Sequence, residues 1–88
     1  MSYKIELAIR AEKNLLALPK SSQNRIRNAI SALSETPRPN GCKKLKGVDA
    51  YRIRIGDYRV VYSVKDSILI VSVIDVGHRR EIYKILHK

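Results

Sequence analysis

The sequence is short of nearly everything that marks a secreted or membrane-embedded chain. Its 88 residues include one cysteine, Cys42, which excludes an intramolecular disulfide framework and fits a reducing, cytoplasmic compartment. The longest apolar stretch, Ile68 to Val76, is broken by Ser72 and Asp75 and falls well short of the ~20 residues that span a bilayer. The opening residues, Met1-Ser2-Tyr3-Lys4-Ile5-Glu6, lack a charged-then-apolar signal layout. No Cys/His cluster and no pair of carboxylates stands at metal-ligand spacing. Phe and Trp are absent and all five aromatics are tyrosine, so some tyrosines must serve the core. Acidic residues are also scarce: 8 Asp+Glu face 18 Lys+Arg, a net charge of +10.

What is present is a 44% apolar content, too rich in Ile, Val and Leu for a disordered basic tail. The length limits the chain to a single domain over residues 1–88. The basic residues are spread through both halves without long like-charge blocks, so the charge sits on folded segments. It calls for a polyanion or an acidic protein as partner, although scattered lysines also suit an ordinary solvated surface.

Periodicity predicts the elements. Tyr3 to Ile9 alternates as a strand. Ala11, Leu15 and Leu18 form a helical stripe stopped by Pro19. Ser21 and Ser22 are candidate N-caps for a second helix, whose stripe is Ile26, Ala29, Ile30 and Leu33. Two prolines and Asn40-Gly41 end it. Lys43-Lys44-Leu45-Lys46-Gly47 reads as a basic loop. Tyr51 to Ile55 and Tyr58 to Val64 alternate cleanly, and Gly56-Asp57 suits a two-residue hairpin with glycine at the first central position. Asp66-Ser67 makes a further turn before a third strand, Ile68 to Val76. The segment from Arg80 onward stays open between helix and strand. The expected fold is α+β, ordered β-α-α-β-β-β with a short C-terminal element: an N-terminal strand, a helical hairpin, then antiparallel strands in one sheet.

The hairpin carries the chemistry. A two-residue loop sets Arg54 opposite Arg59, with Arg52 on the same face, while Ile53, Ile55, Tyr58, Val60 and Tyr62 face the helices. Opposed like charges cost about 0.2–1 kcal/mol, and an anion would turn that repulsion into binding, since guanidinium forks suit phosphate oxygens. Val76-Gly77-His78-Arg79-Arg80-Glu81-Ile82-Tyr83 adds an imidazole, two further guanidiniums and a phenol, with Gly77 read as the point where the chain leaves the sheet. These are an acid/base candidate, phosphate ligands and a ring on which a base can stack.

The strings Lys44-Leu45-Lys46-Gly47, Tyr51 to Tyr62 and Val76 to Tyr83 resemble the RelE/ParE toxin superfamily, on its RelE side. That resemblance implies a type II toxin–antitoxin toxin with a RelE-like fold that cleaves mRNA in the ribosomal A site without a metal. In the family the 2′-hydroxyl attacks the adjacent phosphate and a 5′-hydroxyl leaves. Position by position, Arg52 and Arg54 match the two basic residues before the turn, and Arg59 the arginine that holds the scissile phosphate. Arg79 matches the arginine that assists the leaving group, and Tyr83 the tyrosine that stacks on the base. Well-studied RelE enzymes can carry lysine at the first two positions; arginine is a poor general base, so either Arg52 and Arg54 act purely electrostatically or His78 supplies proton transfer. Lys43, Lys44, Lys46 and Arg80 are expected to dock RNA or rRNA. The implied partners are the ribosome and mRNA, an acidic or amphipathic antitoxin that wraps the basic face, and operator DNA reached through that antitoxin, with no membrane. The competing reading is a ParE-like toxin that inhibits DNA gyrase without cutting RNA, and a third is an inactive adaptor.

Overall fold

The computed structural model describes the backbone of residues 2–86 and the side chains of residues 2–82. Tyr3, Ile5 and Leu7 are half-buried and Lys4 and Glu6 exposed, as alternation requires, but the strand β1 spans only Lys4–Leu7. Ile9, expected as its last inward residue, is 78% exposed and opens helix α1, Ile9–Leu16. Ala8, in extended conformation, donates its N–H to the Val73 carbonyl and ends the strand there.

Helix α2, Lys20–Ala32, follows at once. Pro19 occupies its N-cap position without a side-chain cap, and Ser21 and Ser22 lie inside the first turn, not before it. With its φ fixed, proline stops α1 and starts α2 in the same step. The carbonyls left open at the end of α1 are met by Gln23, a buried side chain whose amide donates to the carbonyls of Leu16 and Leu18.

The remaining elements are β2 (Lys43–Lys44), β3 (Tyr51–Ile55), β4 (Tyr58–Lys65), β5 (Ile70–His78) and α3 (Arg79–Leu86). They form one five-stranded sheet ordered β1-β5-β4-β3-β2, with β1 parallel to β5 and the other pairs antiparallel. The Lys43–Lys44 stretch, expected as loop, is an edge strand on β3. The third strand of the second half runs two residues later than its apolar run suggests. Ile68 is 58% exposed in the preceding turn, where Leu69 adopts φ 54°. Gly77 lies inside β5, paired with Arg59, so the chain leaves the sheet after His78 and enters a helix.

One core joins the helices to the sheet. Ala11, Leu15, Ile26, Ile30 and Leu33 meet Ile53, Val60, Tyr62, Val71, Val73 and Val76. Tyr62 is fully buried, and its hydroxyl donates to the Pro37 carbonyl at 2.7 Å; burial pushes its pKa up. On the opposite face Ile82 of α3 packs with Ala50, Val61 and Leu45. The β4–β5 register shifts beside Val61 and leaves Ile74 unpaired, a bulge that also buries Asp75. Asp75 accepts from Asn14 of α1 at 2.7 Å and pairs with Arg10 at 3.1 Å. A carboxylate thus interrupts the apolar run because it ties the bulge to α1. Among the described residues no helix is long and apolar enough to cross a membrane.

Candidate active site

The hairpin register is the one expected: Tyr51 pairs with Tyr62, Arg52 with Val61, Ile53 with Val60, Arg54 with Arg59 and Ile55 with Tyr58. Gly56 takes φ +59° at the first central position of the turn, a conformation that glycine adopts without a Cβ penalty. Period-two alternation then sends Arg52, Arg54 and Arg59 to the face opposite the main core.

Each arginine is held differently. Arg59 is half-buried, and its Nη1 donates to the carbonyls of Gly56 and Tyr58 at 3.1 and 3.0 Å, which folds its guanidinium back over the turn. Burial lowers its pKa first, then the charges of Arg54, Arg52 and Arg79, with Asp57 opposing. Arg52 is half-buried too; burial and the Arg54 charge lower its pKa, and its Nε is buried without a hydrogen-bond partner among the described residues. Arg54 is exposed. Arg79, the first residue of α3, donates its backbone N–H to the Asp57 carbonyl at 2.7 Å, so the helix start is tied to the hairpin turn. Its side-chain charge reaches Arg59.

Four guanidiniums therefore share one surface. Five ion pairs are formed among the described residues and none uses any of these four arginines. Folding gains nothing from this clustering: like charges repel and two of the groups lose part of their hydration. Uncompensated guanidiniums on one surface have the chemistry to take up an anion, since their planar forks suit phosphate or carboxylate oxygens.

The other expected residues are placed less uniformly. Lys43 is exposed and stands across from Arg52, which extends the cationic row onto β2. Lys44 turns the other way, its Nζ 5.3 Å from the Tyr51 ring centroid and 3.0 Å from the Asp49 carboxylate. Lys46 is exposed in the following turn, and Arg80 is exposed on α3. His78 pairs with Tyr58, not with an arginine, and its ring meets the Tyr58 ring edge-on at 5.9 Å. Its Nδ1 accepts the Arg80 N–H at 3.3 Å. The structure thus brings together Arg52, Arg54, Arg59 and Arg79, and sets His78 on the Tyr58 face at the start of α3. Tyr83 lies in α3; its side chain is outside the described residues.

One residue at the site carries no sequence signal beyond standing off the apolar stripe of α2. Arg25 lays its guanidinium against the turn, Nη2 coming within 3.2 Å of where a Cβ on Gly56 would stand. It brings a further cation from the helical layer to the hairpin tip. Among the described residues, no group of three or more His, Cys, Asp and Glu is arranged to hold a metal.

The comparisons agree with this architecture. The family described as the ParE toxin of the type II toxin-antitoxin system, parDE, matches residues 4–83. The mRNA interferase toxin RelE of Escherichia coli is 33% identical over 88 residues, covering 94% of this chain and 92% of that protein. The archaeal RelE–RelB complex of Pyrococcus horikoshii is similar with a TM-score of 0.81 at 32% identity, covering 90% of this chain and 97% of that one. The intact RelBE toxin–antitoxin complex of E. coli gives 0.77 at 31%, covering 88% and 96%. With a family match over nearly its whole length and RelE proteins as relatives in both sequence and fold, the chain belongs to the RelE/ParE family of type II toxin–antitoxin toxins, on its RelE side.

Proposed function

We propose that the chain is a ribosome-dependent endoribonuclease that cleaves mRNA in the A site, inhibits translation, and needs no metal. The observation that carries this reading is the group of four guanidiniums around the hairpin turn, none of them in an ion pair among the described residues. In the reaction the 2′-oxygen forms a bond to phosphorus, the P–O5′ bond breaks, and water takes up the 2′ proton and supplies one to the 5′-oxygen. Negative charge builds on the equatorial phosphate oxygens, where preorganised cations are most effective. Arg59, already fixed by the turn carbonyls, holds the phosphate. Arg52 and Arg54 stabilise the developing charge, and Arg79 serves the leaving oxygen. Tyr83 stacks on the substrate base. Arginine keeps its proton throughout the physiological range, so the cluster acts by charge and positioning.

Lys43, Lys44, Lys46 and Arg80 contribute to docking on RNA. The solved relatives include RelE–RelB complexes, which supports a cognate antitoxin as the partner that covers the basic face at rest. Operator DNA is reached through that antitoxin.

The test is primer extension on translated mRNA after brief induction, in the wild type and in Arg59→Ala and Arg79→Ala. Wild type gives new 5′ ends within codons, and each substitution lowers cleavage about 100-fold or more while circular dichroism shows an intact fold. Arrested DNA replication with intact mRNA would instead identify a gyrase poison and overturn the proposal.

A further inference from the structure

Beyond Arg52 the outer edge of β3 has no strand partner among the described residues, because β2 pairs with it only at Tyr51 and Arg52. A groove of about 620 Å³ follows that edge, within the size range of small-molecule sites. Its walls are apolar, with Ala29 and Ala32 from α2 and Ile53 and Ile55 from β3. Lys43, Arg52, Arg54 and Asn40 also line it, and no carboxylate does.

We propose that this groove is a nucleobase subsite, taking the base of a nucleotide that neighbours the scissile phosphate. The proposal rests on the RNA-cleavage reading above and names what that site holds beside the phosphate. Three features argue for it. Apolar walls suit the face of a base, while an unpaired strand edge offers N–H and C=O groups to the base's hydrogen-bonding edge. The cationic lining residues suit the phosphates on either side of the base. Above all, Arg52 and Arg54 both line the groove and stand on the arginine face. An RNA strand whose phosphate rests on that face delivers its next nucleotide to the groove.

The experiment uses ribosome-bound mRNA that is either ordinary or abasic at one neighbour of the scissile phosphate, each side in turn. The wild-type chain is compared with Ala32→Leu, which fills the groove from an exposed helix position, and with Asn40→Ala, which leaves the walls intact. On one side, removing the base lowers wild-type cleavage about tenfold. Ala32→Leu shows the same loss on ordinary mRNA and no further loss on abasic mRNA. Asn40→Ala narrows the spread of rates among the four bases at that position. If Ala32→Leu fails to fold, the Asn40→Ala spread decides. The subsite is overturned if the abasic change costs Ala32→Leu as much as wild type, or if base removal costs nothing on both sides. It is also overturned if an acidic peptide, and not a 2′-O-methyl dinucleotide, shifts the backbone amide resonances of Ala29, Ala32 and Ile55. Should wild type leave ordinary ribosome-bound mRNA uncut, the nuclease reading itself fails, a result distinct from loss of the subsite alone.

Discussion

At the scale of single residues, the pairing of Arg54 with Arg59 was legible and the face on which His78 lies was not, and one physical difference explains both. Arg54 and Arg59 face each other because a two-residue turn fixes the register locally, and Gly56-Asp57 is readable as such a turn. The side on which His78 lies depends instead on β4–β5 pairing, which carries a bulge beside Val61 and Asp75. One extra residue reverses which side chains share a face, and nothing in the local sequence announces it. The consequence is chemical. Because Nδ1 accepts the Arg80 N–H, the neutral ring carries its proton on Nε2, and a base at Nδ1 would have to give up its bond to the start of α3. We therefore expect His78→Gln to lower the rate less than tenfold, the scale below which general acid–base catalysis is not operating. The shape of the pH–rate profile from about pH 5.5 to 8 should be unchanged. Measuring cleavage on ribosomes across that range settles the point, since loss of an acid limb in the variant would assign proton transfer to His78.

At the scale of elements, strands with alternation and a local turn could be read, while those defined by a distant partner could not. Lys43–Lys44 shows no alternation and becomes β2 only through β3. The parallel β1–β5 pair joins residues far apart in the chain, and Pro19 outweighed the two serines as the start of α2. Nonlocal contacts also hold the loop after α2. Arg38 reaches Asp66 in the β4–β5 turn with two hydrogen bonds, at 3.2 and 2.8 Å, and donates to the Tyr51 hydroxyl at 3.0 Å. The Tyr3 hydroxyl donates to the same carboxylate at 2.6 Å. The Arg38 hydrogen bonds, followed by that of Tyr3, depress the Asp66 pKa to about 2. A carboxylate whose pKa is lower folded than unfolded stabilises the fold above the unfolded value, and that contribution disappears as pH falls toward the folded value. Urea midpoints of wild type and Asp66→Asn should therefore differ by a constant amount above about pH 5 and converge between about pH 4 and pH 2. A gap that persists at low pH would show that the ionised carboxylate is not what joins these elements.

At the scale of the whole molecule, the net charge of +10 says only that an anion is wanted, and the fold divides that charge into two kinds. Arg27, for example, is held by Glu12 at 3.0 Å and Arg38 by Asp66 at 2.8 Å, so each is largely compensated where it stands. Arg52, Arg54, Arg59 and Arg79 have no such partner among the described residues, and they are gathered on one surface by the hairpin register and the start of α3. Counterion release distinguishes the two kinds, because only a cation that replaces counterions on RNA phosphates contributes to the salt dependence of binding. Each such contact adds about 0.7 to the slope of log K against log salt for a single strand. Binding of a 2′-O-methyl single-stranded RNA, followed by fluorescence anisotropy across a salt series, should lose about 0.7 of slope in Arg54→Ala. Arg27→Ala should leave the slope unaltered while removing the same formal charge. Equal slopes in the two variants would mean that the chain attracts RNA through its overall field, and that the clustering of arginines on the hairpin face serves something other than phosphate contact.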